Sequence, residues 1–147
     1  MKTIFDKATR DELIRRISLL NENSKAKWGQ MNVYQMLRHC TLWEEMIAGK
    51  KKYKRVFIGR IFGKIALKEV LKDEKPLRRN TPTLPEFRIK GNGDFSAERI
   101  KWITQMEEYD HFSNFDFVHP FFGKMTKEQI GYMAYKHTDH HLRQFNS

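Results

Sequence analysis

The sequence predicts an all-α protein: a four-helix bundle whose second and third helices are joined by a long crossover containing a short extra helix. Three observations predict it. Apolar residues recur at helical spacing in four separate segments, capping residues stand before them, and three of the four prolines fall between the second segment and the third. The length of 147 residues suits a single domain, 1–147, with one sizeable core.

In "TRDELIRRISLLNEN" the residues Leu13, Ile17 and Leu20 share one face, and Thr9 with Glu12 fits a capping box. The second segment, "NVYQMLRHCTLWEEMIAGK", places Val33, Met36, Cys40, Trp43 and Ile47 on one stripe, with Asn32 as cap and Gly49 as stop. A crossover follows at about residues 50–94. Its first half, "RVFIGRIFGKIALKEVLKD", reads as a short basic amphipathic helix with Ile58, Ile61, Phe62 and Ile65 together. The second half, "EKPLRRNTPTLPEFRIKGNG", is proline-rich and reads as an extended loop. The third main helix opens at Ser96 in "SAERIKWITQMEEYDHF" and repeats Ile100, Ile103 and Met106. The last opens at "TKEQ", where Thr126 and Gln129 form a capping box, and runs to about Phe145.

Composition narrows the function classes. Lysine and arginine total 28 against 18 acidic residues, a net charge of +10, which permits an anionic partner. The densest basic run, "GKKKYKR", has neither zinc-finger cysteines nor an RNP-type aromatic motif beside it, so a solvated connector is favoured over a nucleic-acid site. No apolar run approaches the roughly 18–20 residues that cross a bilayer, and the N-terminus lacks a secretory h-region. Cys40 is the only cysteine, which excludes an internal disulfide and points to a reducing cytoplasm. The apolar stripe of the crossover helix is expected to cover one end of the core or a subunit partner rather than to lie on lipid.

The histidines carry the sharpest question. "KHTDHHLRQF" holds His137, His140 and His141. Residues four apart on a helix are about 40° apart and roughly 6 Å apart along the axis, so His137 and His141 can reach one ion. They continue the stripe of Ile130, Ala134 and Phe145, whereas His140 follows the more polar Gln129, Met133 and Lys136. A metalloprotease helix needs H-E-x-x-H, and Thr138 stands where that glutamate belongs. His39, beside Met36 and Trp43, could meet the pair from across the core. Three neutral imidazoles with room for water make an open metal site. Three core histidines bonded to backbone or carboxylates are the alternative, and spacing leaves both open.

"WGQMNVYQMLRHC" and "HPFFGKMTKEQIGYMAYKHTDHHLRQF" resemble the DinB-like (YfiT-like) superfamily of metal-dependent enzymes, with the specific motifs in residues 28–45 and 119–145. The resemblance implies an up-down-down-up bundle, frequently dimeric, that binds a divalent metal, commonly zinc or nickel. Its ligands would be His39, His137 and His141. It also implies a small-molecule substrate, since some members are thiol S-transferases or isomerases that use low-molecular-weight thiols, while many have no assigned reaction. The long basic insertion between the second and third helices departs from the pattern.

Other residues carry weaker expectations. His119, before Pro120, suits a loop anchor better than a proton shuttle or an extra ligand. Arg143 could bind an anionic substrate or make a surface ion pair, and Cys40 suits a buried core position. Trp28, Trp43 and Trp102 read as core or cavity wall, and Asp139 and Glu44 as possible partners of imidazole N–H groups. The sequence therefore favours a metal-dependent transferase or hydrolase in the cytoplasm, with a non-enzymatic metal-binding or anionic-surface protein as the alternative. Nucleic acid and membrane are not the expected partners.

Overall fold

A computed structural model describes all residues, 1–147. Its five α-helices are α1 (Lys7–Ser18), α2 (Val33–Ile47), α3 (Phe57–Val70), α4 (Phe95–Glu107) and α5 (Lys127–Gln144). A small antiparallel pair, β1 (Val118–His119) and β2 (Gly123–Lys124), leads into α5, with Val118 opposite Lys124. The protein is thus mostly helical, and no helix is long and apolar enough to cross a membrane.

The helix boundaries follow from local chemistry. Asn32 and Gln35 form a reciprocal capping box at α2, as Thr126 and Gln129 do at α5, so each pair satisfies two otherwise unbonded amides. Gly49 lies just past α2 at φ +78°, a left-handed conformation that glycine adopts without the steric cost a Cβ imposes. Two starts differ from expectation. Asp6, not Thr9, caps α1: its carboxylate accepts from the Thr9 amide and hydroxyl, so the helix begins one turn earlier. Asp94, not Ser96, likewise caps α4 by accepting from the Ala97 amide.

Helices α1, α2, α4 and α5 pack in four pairs, α2 on α4, α4 on α1, α1 on α5 and α5 on α2. Leu13, Ile17, Met36, Leu37, Cys40, Trp102, Met106 and Ile130 fill the space between them. The stripe expected on α4 is displaced. Ile100 is exposed and Ile103 only half-buried, because Phe95, Trp102, Gln105 and Met106 supply the inner face. Trp102 is wholly buried, and its larger surface outweighs that of an isoleucine in deciding which way the helix turns.

Helix α3 departs furthest. Its buried face is Gly59, Gly63 and Leu67, while Ile58, Ile61, Phe62 and Ile65 point away from the protein. The expected stripe exists but does not cover the core. Gly59 and Gly63 lie against the backbone of Phe121, and a Cβ at either would overlap the Phe121 carbonyl oxygen. Arg55 donates to the carbonyls of Pro120 and Gly59, and Lys64 to that of Lys124, pinning the helix over the β1–β2 turn.

Candidate metal centre

His39 comes from the middle of α2, and His137 and His141 come from the last two turns of α5. The α2–α5 contact brings the three rings together, with centroids 4.7 Å apart for His39–His141 and for His137–His141, and 5.2 Å for His39–His137. One nitrogen from each lies within 4.8 Å of the others. His39 Nε2 and His137 Nε2 are 3.2 Å apart, close to the roughly 3.3 Å that two nitrogens span on a tetrahedral zinc with Zn–N near 2.05 Å. The residues present therefore fit a divalent metal.

The groups behind the rings decide how they point. The carbonyl of Phe87 can only accept, so the 3.0 Å contact to His39 Nδ1 places the proton there and leaves Nε2 as a lone pair. Gln144 does the same for His141. Its amide nitrogen donates to the carbonyl of Trp28 at 2.8 Å, which turns its oxygen toward His141 Nδ1 at 2.9 Å. Two of the three Nε2 atoms are thereby presented as ligand atoms by hydrogen bonds on the far side of the ring, the arrangement that orients imidazoles at metal sites. His137 is held differently. The indole of Trp43 stacks on it at 4.4 Å, and its Nδ1 is buried without a hydrogen-bond partner.

Burial sets the protonation state. The three histidines retain only 5–8% exposure. Desolvation pushes the His137 and His141 pKa values well below the usual 6.5, and the other histidines lower them further. Desolvation lowers His39 as well, against a raising contribution from its bond to Phe87. All three are neutral at pH 7, which is the form that ligates a metal.

His140, on the other edge of α5, faces the Trp28 ring edge-on at 5.6 Å. With Lys27, Trp28, Leu77, Arg79 and Arg143 it lines a cavity of about 350 Å³ beside the cluster, and none of the three clustered histidines lines that cavity. The guanidinium of Arg79 lies 4.2 Å over the Trp28 ring. His119 anchors a loop: its Nδ1 accepts from the amides of Phe121 and Phe122, and burial drives its pKa to about 3.

The expected carboxylate partners serve elsewhere. Asp139 pairs with Arg16 at 2.8 Å and Arg143 at 2.6 Å, tying α5 to α1. Glu44 is buried and accepts from the Tyr109 hydroxyl at 2.5 Å. The groups that bond the imidazoles are Gln144, which follows the H-x-x-x-H motif in sequence, and the Phe87 carbonyl. A backbone carbonyl 48 positions from His39 leaves no signal in the residue pattern.

A mostly helical domain with a buried three-histidine cluster between two packed helices defines the class of protein. The chain belongs to the DUF1569 family, described as a protein of unknown function, whose family model matches residues 5–147. No curated protein and no solved structure is significantly similar to it.

Proposed function

We propose that the chain is a metal-dependent enzyme of the DinB-like kind, a thiol S-transferase or hydrolase in which His39, His137 and His141 hold a divalent ion, zinc or nickel. The observation that carries this reading is the pair of outward hydrogen bonds, His39 to Phe87 and His141 to Gln144, which turn two Nε2 lone pairs toward a common point. Core histidines serving only packing gain nothing from three mutually facing nitrogens, because facing lone pairs repel and one must spend its proton on another. The four helix pairs close into a ring, α2–α4–α1–α5–α2, which is how a four-helix bundle packs, and up-down-down-up is the topology proposed for it.

A bound divalent ion supplies Lewis-acid polarisation and lowers the pKa of a coordinated water or thiol. The chain's own residues do the rest. Trp43 walls one side of the cluster and fixes the His137 ring plane, while the crossover carbonyl at Phe87 fixes His39. The cationic Lys27, Arg79 and Arg143 beside His140 suit the anionic groups of a low-molecular-weight thiol. The buried Cys40 thiol, pushed well up by burial, is no nucleophile and fits a cytoplasmic address.

Elemental analysis of purified protein tests the base of this reading, followed by a thiol-transfer screen on the metal-loaded form. One equivalent of zinc or nickel with transferase or hydrolase turnover is the expected result. Bound metal without turnover on any thiol or ester leaves a metal-binding protein with no substrate, and no metal binding overturns the proposal.

A further inference from the structure

We propose that α3 is a docking surface for an anionic lipid membrane, lying in the interface with its apolar face inserted. Phe57, Ile58, Ile61, Phe62 and Ile65 are 53–77% exposed along one side of the helix. At 100° per residue they span an arc of about 140° whose centre lies roughly opposite Gly63. The helix is therefore held on the protein by its glycine side, against the Phe121 backbone, with its apolar side turned outward by construction. A surface helix of a folded domain ordinarily shows the reverse.

Charge selects the occupant. Between Lys51 and Lys72 there are eight lysines and arginines and one acid, Glu69, so this stretch carries a net +7 of the chain's +10. Arg60, Lys64 and Lys68 run along one edge of the apolar face and are exposed. Apolar insertion with basic side chains at headgroup level is the design of an interfacial helix. A second copy of the chain is the less favourable occupant, since it brings the same cationic segment against this one. The inference is independent of whether the histidines hold a metal.

Flotation of the full chain with vesicles tests it. Vesicles of phosphatidylcholine with equal phosphatidylglycerol should bind at least tenfold more tightly than pure phosphatidylcholine, and binding should weaken with salt. Ile61→Asp should weaken binding to the anionic vesicles at least tenfold while melting like wild type, and Phe57→Ser provides a second variant if Ile61→Asp does not fold. Absence of binding to the anionic vesicles overturns the proposal. So does binding that survives both substitutions, which would be charge adsorption alone. A dimer in sedimentation equilibrium that Ile61→Asp dissociates would assign the face to a second copy instead.

Discussion

At the scale of single residues, the candidate centre depends on two kinds of contribution, the nitrogens that face inward and the oxygens that turn them there. His39→Ala, His137→Ala or His141→Ala should each abolish stoichiometric zinc binding, measured by competition with a chromogenic chelator. His140→Ala should retain it, because that ring faces Trp28 and lines the neighbouring cavity. Gln144→Ala keeps all three ligands but frees the His141 ring to turn, so zinc affinity should fall roughly 10–100-fold. If Gln144→Ala binds zinc like wild type, the orienting role is wrong. The pH dependence follows from burial. Because desolvation lowers the pKa of all three ligands, they remain neutral below 6.5, and zinc binding should persist to a lower pH than free imidazole allows before protons displace it. A midpoint above pH 6.5 in a zinc competition series would contradict this.

At the scale of elements, α3 separates two properties that usually travel together, amphipathicity and a buried apolar face. Its packing rests on small residues, so the sensitive position is a glycine. Gly63→Ala puts a methyl onto the Phe121 carbonyl oxygen and should cost about 1–3 kcal/mol in denaturant unfolding, as overpacking does. Ile61→Asp, on the exposed side, should change stability by no more than about 0.5 kcal/mol. The opposite order of effects would mean that the apolar side of α3 is the covered one. The crossover beyond α3 also has a positive role, since Phe87 is buried and delivers the carbonyl that fixes His39. A loop that reads as filler in sequence thus belongs to the centre's support.

At the scale of the whole molecule, buried ionisable groups tie stability to pH in two opposed ways. Histidines with lowered folded pKa values contribute stability that is present above pH 6.5 and lost as pH falls toward the folded values, about 3 for His119. Glu44 works in the other direction. Burial raises its carboxyl to about 8, offset in part by the Tyr109 hydroxyl, so the folded protein holds a proton that the unfolded chain releases above about 4.5. Its contribution is full below pH 4.5 and is lost as pH rises through 8. Between pH 6.5 and 8 the unfolded histidines lose the last half of their protons, which raises stability, while Glu44 lowers it. Glu44 alone should therefore remove roughly 1.5 kcal/mol of stability between pH 6.5 and 8, a loss that the histidines mask in the wild-type protein and that comparison with Glu44→Gln isolates. Glu44→Gln should remove that loss, so its stability should rise relative to wild type from pH 6.5 to 8, as read from urea midpoints at each pH. An unchanged slope in that variant would show that Glu44 is ionised in the folded state.

How much of this was legible in the sequence depended on the range of the interaction. Periodicity alone placed five helical segments, and His137, His141 and His39 on or beside inward stripes, because helix geometry maps spacing onto faces without reference to the rest of the chain. The caps of α2 and α5 were legible for the same reason, the partners being three residues apart. Asp6 and Asp94 lie equally close to the helices they cap, yet Thr9 and Ser96 were better-looking candidates, and only the backbone decided between them. The sequence showed that α3 has an apolar face and could not show whether anything lies on it; Gly59 and Gly63, four apart, were the available sign that the helix packs on its other side. The partners of the imidazoles, the diversion of Asp139 to Arg16 and the protonation of Glu44 belonged to the tertiary structure alone. Each depends on how groups distant in sequence share space and exclude water, and the free energy of a buried polar group is set by those neighbours, not by its own identity.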